Sequence, residues 1–132
     1  MSPSVDICWG HGTARPSTSD ELDRVLAAVR SRGVPETVFM RNDARECLAF
    51  GIGFGASAVS YADPHGRTSL SLGDEALADL PQVTVRDGVT RATARTLVPE
   101  STAIAAAHEF LTRGGRPSAI AWADESPMPR RA

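Results

Sequence analysis

Between residues 18 and 33 the apolar positions recur at helical spacing: Leu22, Val25, Leu26 and Val29 fall on one face of a helix. Thr18 with Glu21 three residues later forms a capping-box pattern at its start. Gly33 and Pro35 end it, since Gly accepts a left-handed backbone and Pro cannot continue the ladder. A second helix is predicted over PESTAIAAAHEFLTR (99–113), with Pro99 in the first turn, Glu100 beside the positive end of the helix dipole and Gly114 as the far cap. Its apolar face is Ala103, Ile104, Ala107, Phe110 and Leu111.

Elsewhere the period is that of strands. VDICW (5–9) reads as a strand, followed by a loop over 10–17. TVFM (37–40) and ECLAF (46–50) flank RNDA, and SAVSYA (57–62) and RTSLSL (67–72) flank DPHG, so both pairs read as hairpins. QVTVR (82–86) and VTRATARTL (89–97) surround Asp87-Gly88, a strong hairpin signal. In the latter strand Arg91, Thr93 and Arg95 share one face, which predicts a wet side. The acidic stretch 73–81 reads as a loop with a short turn, and SAIAW (118–122) as a final strand. Residues 1–4 and 126–132 read as loose tails. The pattern predicts one α+β domain over residues 1–132, with a single antiparallel sheet of hairpins and two main helices packed on it.

Composition narrows the function classes. A net charge of -2 excludes a strong overall footprint for nucleic acid or an anionic membrane, and 42% hydrophobic with 23% charged residues excludes wholesale disorder. No apolar run approaches the roughly 18 residues that span a bilayer. Cys8 and Cys47 lie far apart behind an N-terminus without a basic and then apolar leader, which points to a reduced, cytoplasmic protein.

Several stretches invite chemistry. GIGFGAS (51–57) is rich in glycine, but its G-x-G-x-G spacing precedes a strand, whereas a dinucleotide fingerprint opens a helix. A bend, bulge or connecting loop is the plainer account, with a small ligand-binding or enzymatic domain built on Gly51–Gly55 as the alternative reading. Ser57 lacks the second glycine and the following helix of a nucleophile elbow. Cys8 and His11 form one close pair, whereas structural zinc sites show two, so neither Cys47, His65 nor His108 completes a metal site on spacing. A Cys47 and His108 thiol–base pair requires that the two meet. Asp74, Glu75 and Asp79 read as a solvated acidic loop, suited to meeting a basic protein partner. Arg86, Arg91 and Arg95 lack interleaved aromatics that would stack on bases. No cofactor or metal follows from these patterns.

In order along the chain stand Tyr61, Gly66, Ser71, Gly73, Asp74, Pro99, Ala107, Glu109, Phe110, Gly115, Arg116, Pro117, Trp122 and Glu125. This series, a hairpin ending in a Ser-x-Gly-Asp turn, then a V-P entry to a helix ending in E-F and glycine, then Arg-Pro and a strand with Trp, resembles immunity-protein family one of bacterial polymorphic toxin systems. The likeness is clear over residues 57–125 and covers 1–50 only in layout. Arg113 with the doubled Gly114-Gly115 departs from the family's usual single glycine. The family includes proteins that protect against double-stranded-DNA cytosine deaminase toxins. The resemblance implies a non-enzymatic inhibitor whose partner is the C-terminal domain of a cognate toxin; the weak net charge and short apolar runs lead us to expect binding to neither nucleic acid nor membrane, and the free chain is expected to be a monomer. On this reading Tyr61, Asp63, Asp74 and Glu75 are the candidate toxin contacts, and Gly73, Phe110, Gly115, Arg116, Pro117 and Trp122 are scaffold.

Overall fold

The computed structural model describes residues 5–10, 12–53, 55–72 and 97–124, with the short backbone stretches 84–85 and 90–91. Two helices, α1 (Ser19–Ser31) and α2 (Glu100–Arg113), lie against a seven-stranded antiparallel sheet. Its strands in chain order are β1 (Val5–Trp9), β2 (Gly12–Ala14), β3 (Glu36–Asn42), β4 (Cys47–Ile52), β6 (Ser60–Ala62), β7 (Thr68–Ser71) and β11 (Trp122–Asp124). Across the sheet the order is β11-β7-β6-β4-β3-β1-β2. Two short ladders stand apart, one of β5 (Ala56–Ala58) with β10 (Leu97–Pro99), the other of β8 (Thr84–Val85) with β9 (Thr90–Arg91). The α+β class is as the sequence predicts.

Local signals set both helices. The Thr18 hydroxyl accepts the Glu21 N–H at 3.1 Å, and the Glu21 carboxylate accepts the Ser17 N–H at 2.7 Å, so the first turn is capped from both directions. Leu22, Leu26 and Val29 are buried. In α2 the buried stripe is Ala103, Ala106, Ala107, Phe110 and Leu111, and Ile104 packs at its edge. Pro99 is the N-cap residue and not part of the first turn, because its carbonyl side still belongs to β10. The helices run antiparallel: Arg30 pairs with Glu100 at one end, and at the other the His108 ring lies 2.7 Å from Asp23 and 3.2 Å from Ser19.

The core lies between these stripes and one face of the sheet, where Ile7, Met40, Leu48, Phe50 and Ile52 join Leu22, Phe110 and Leu111. Alternate residues of β3 and β4 turn inward, as period-two patterning requires.

Besides the place of Pro99, four expectations change. The loop 10–17 contains the edge strand β2, which pairs with β1 from Ile7↔Ala14 to Trp9↔Gly12. The strand read over 57–62 breaks at Val59: Ala56–Ala58 pairs with β10, while Ser60–Ala62 pairs with β4 and β7. Small side chains buried on both faces let the chain change sheets there. The final strand starts at Trp122 and not at Ser118, because residues 118–120 form a turn held by Glu109. The single sheet is joined by the two short ladders. Of the strands read over 82–86 and 89–97, Thr84 pairs with Arg91 and Val85 with Thr90, while Asp87-Gly88 lies outside the described residues. The acidic stretch 73–81, Arg86, Thr93, Arg95 and both tails lie outside the described residues.

Phe110, 1% exposed, fills the space between α2 and the sheet. Phe110→Ala is expected to cost about 3–5 kcal/mol by leaving a cavity. Urea unfolding should show this as a lower midpoint at unchanged slope, and a loss under about 1 kcal/mol would place the ring outside the core.

Candidate functional site

At one end of the sheet three loops meet around Glu46. The β3–β4 turn is tight, with Arg45 at φ 66 and its N–H bonded to the Asn42 carbonyl at 3.1 Å. That turn aims the Glu46 carboxylate across the sheet. Its Oε1 accepts the Asn42 amide at 2.8 Å and the Gly115 N–H at 3.0 Å, and its Oε2 accepts the Tyr61 hydroxyl at 2.5 Å. Gly114 and Gly115 both have positive φ, 69 and 76, which lets the chain reverse after α2 and present the Gly115 N–H to the carboxylate. Partial burial opposes the Glu46 charge, but the bonds from Tyr61, Asn42 and Gly115 outweigh it and hold the carboxyl below its ordinary 4.5. Burial and the bond to Glu46 push the Tyr61 phenol well above its usual range.

The segment that follows is fixed in the same way. Glu109 on α2 accepts the Ser118 N–H at 2.7 Å, the Ser118 hydroxyl at 3.1 Å and the Ala119 N–H at 3.1 Å. These bonds, chiefly the Ser118 N–H, lower its carboxyl from the ordinary value. The Trp122 indole donates to the Pro117 carbonyl at 2.7 Å, and its ring lies tilted against Tyr61 with centroids 6.4 Å apart. Arg116 reaches Ser69 at 3.1 Å. Pro117 is buried and Phe110 lies in the core.

Tyr61 is therefore a core residue, 7% exposed, whose hydroxyl is committed to Glu46. Asp63 stands two residues on, half-buried at the β6–β7 turn, where its Oδ1 accepts the His65 and Arg67 N–H groups at 2.9 Å each. Those backbone bonds hold its carboxyl below the usual range. Structure thus brings Tyr61, Asp63, Gly115, Arg116, Pro117 and Trp122 to one end of the molecule. Asp74, Glu75 and Gly73 lie outside the described residues, as do Asp79, Glu125 and His11. Glu46 and Asn42 carry no signal of their own in the sequence beyond flanking a predicted turn.

The other chemical readings meet specific geometry. Gly53, at φ 93, and Gly55, at φ 83, form the connection from β4 to β5, and the Gly53 N–H bonds Glu100 at 2.8 Å. GIGFG is thus a hinge between sheets, tied to α2. The buried Ser57 hydroxyl accepts the Gly51 N–H at 2.9 Å, a structural role. Cys47 faces away from the helices while His108 bridges them, so the sheet separates thiol from imidazole. Both cysteines are free, and among the described residues no group of His, Cys, Asp and Glu gathers as a metal site. Among them, too, no helix is long and apolar enough to cross a membrane.

The sheet face turned away from the helices is concave, a trough of about 870 Å³ lined by Cys8, Phe39, Arg41, Cys47, Ala49 and Ala62 among others. It ends beside the Asp63 turn, since Ala62 and Thr68, which both line it, flank that turn.

Glu46→Gln is expected to cost about 1–3 kcal/mol at pH 7, because an amide sets a donor among donors. The folded Glu46 carboxyl is more acidic than the unfolded one, so its contribution is full above about pH 4.5 and fades as pH falls through the folded value. The variant should show a shallower loss of stability below that pH in a urea series, and an acid limb parallel to the wild type would count against this role.

A comparison with curated proteins finds no match. A scan of family models matches the one described as Immunity protein Imm1, over residues 10–124, which takes in both helices and the Glu46 end. The chain belongs to the Imm1 immunity protein family.

Proposed function

We propose that the chain protects its producer by binding a cognate toxin domain, an enzyme acting on nucleic acid such as a deaminase, and covering its active site or substrate surface. It acts in the cytoplasm as a monomeric, non-enzymatic inhibitor. The family match over residues 10–124 carries this reading. Physical features support it. A stoichiometric inhibitor gains affinity from loops ordered before contact, and the bonds to Glu46 and Glu109 order residues 114–119 in that way. An enzyme that holds a polyanion needs a basic surface, which exposed carboxylates complement. Half-buried Asp63 supplies a carboxylate at the hairpin end; Asp74 and Glu75, in the acidic stretch that follows β7, are proposed as further contacts.

The neighbouring gene should encode a long protein with a variable toxic C-terminal domain. Co-expression with that domain is expected to restore growth, and the pair should co-purify. Growth arrest despite expression, with no association of the purified proteins, would end the proposal. Asp63→Arg is expected to slow association by about threefold to tenfold at low salt with less effect on dissociation. Stopped-flow mixing would detect this, and an unchanged rate would remove Asp63 from the contact.

A further inference from the structure

Arg45 holds a left-handed backbone, φ 66, in the turn between β3 and β4. Glycine or asparagine takes that conformation at less cost than arginine does. The Arg45 N–H closes the turn on the Asn42 carbonyl, a bond that any residue but proline could make. Arg45 is exposed and, among the described residues, its guanidinium has no ion pair and no hydrogen bond. The turn thus carries a costly residue whose charge answers nothing within the described fold.

Arg67, at the β6–β7 turn, is likewise exposed and without an ion pair among the described residues. The two turns are neighbours: Cys47 pairs with Ala62 and Ala62 with Thr68, so both rise from one end of the adjacent strands β4, β6 and β7. Strand spacing sets β4 and β7 about 10 Å apart. Both backbones are fixed before any contact. Glu46, next to Arg45, accepts the Asn42 amide at 2.8 Å and the Gly115 N–H at 3.0 Å, and Asp63 accepts the Arg67 N–H at 2.9 Å. The carboxylates described at this end are already engaged, Glu46 and Asp63 by those donors and Asp43 by Arg15 at 3.5 Å. The charge left unanswered there is therefore positive, although the chain as a whole carries -2.

We infer that this end of the sheet docks the toxin domain, and that Arg45 and Arg67 each receive a carboxylate from it. The inference rests on the proposed function and gives it a surface. A guanidinium forks onto a carboxylate through two parallel bonds, and turns ordered beforehand lower the cost of forming them. Asp63 lies on the β6 end between the two arginine-bearing positions, and Asp43 is exposed two residues before Arg45. A nucleic acid laid across the arginines would bring its phosphates against these carboxylates. A protein segment that alternates acid, base and acid matches both signs. The loop over 114–119, tied to Glu46 through Gly115, borders the same surface.

The test uses the full chain and the toxin domain encoded beside it, with affinity read by calorimetry and folding by thermal unfolding. The double variant Arg45→Glu, Arg67→Glu is expected to bind at least about tenfold more weakly at low salt, with the deficit narrowing as salt rises. Arg45→Asn removes the charge while suiting the left-handed backbone, so it should unfold no earlier than the wild type yet bind about threefold or more weakly. Arg24→Glu, at an exposed arginine of α1, should bind as the wild type does. Wild-type affinity in the double variant and in Arg45→Asn would overturn the inference while leaving the proposed function standing. An equal loss in Arg24→Glu would do the same, since overall charge and not this end would then govern binding. So would retardation of DNA or RNA that the double variant abolishes while keeping its toxin affinity. Failure of the wild type itself to bind the toxin domain would overturn both.

Discussion

A half-buried carboxylate must be met by donors, and at Glu46 three parts of the chain supply them: the β3–β4 turn through Asn42, β6 through Tyr61, and the loop after α2 through Gly115. The buried Tyr61 hydroxyl would lose its acceptor without it, and each of the three donors is weakly placed by its own local sequence. Charge-assisted bonds of this kind convert three loops into one rigid end. Glu109 extends the effect by holding Ser118 and Ala119, which sets the approach of Trp122 to its edge of the sheet.

The position of the helices follows from a second constraint, the change of sheet between Ile52 and Ser60. Gly53 and Gly55 turn the chain at positive φ, and Ala56–Ala58 leaves the main sheet to pair with β10 immediately before α2. Glu100 ties this hinge to both helices, accepting the Gly53 N–H and pairing with Arg30. Val59 and Ser71 then close the corner, as the Val59 N–H donates to the Ser71 hydroxyl and the Ser71 N–H to the Val59 carbonyl. Both helices therefore pack on one face of the sheet, and the trough lies on the other.

The stretch FLTRGGRPSAIAWADE illustrates the division of labour. It offers no nucleophile and no metal pair, yet it supplies Phe110 to the core and Gly115 to Glu46, and seats Trp122 against Tyr61. Tyr61 resembles an interface aromatic when read in isolation. Its ring faces the core because Leu48 and Ser69, opposite it in register, face that way too.

Both helices, the hairpin at 37–50 and the reversal around 63–67 were legible in the sequence, because capping, apolar periodicity and turn chemistry act over a few residues. Phe110 was legible as a core residue from its place on the apolar face of the second helix, while Pro117 and Trp122 were marked as scaffold only by the family resemblance. What the sequence could not express is long-range pairing. Glu46 and Gly115 are 69 residues apart, and nothing local in either marks the bond between them. The break at Val59, the edge strand at Gly12–Ala14 and the strand order all depend on which surfaces become buried together. So does the choice of core face: alternation shows that a strand has two sides, but only the packed helices decide which of them joins the core.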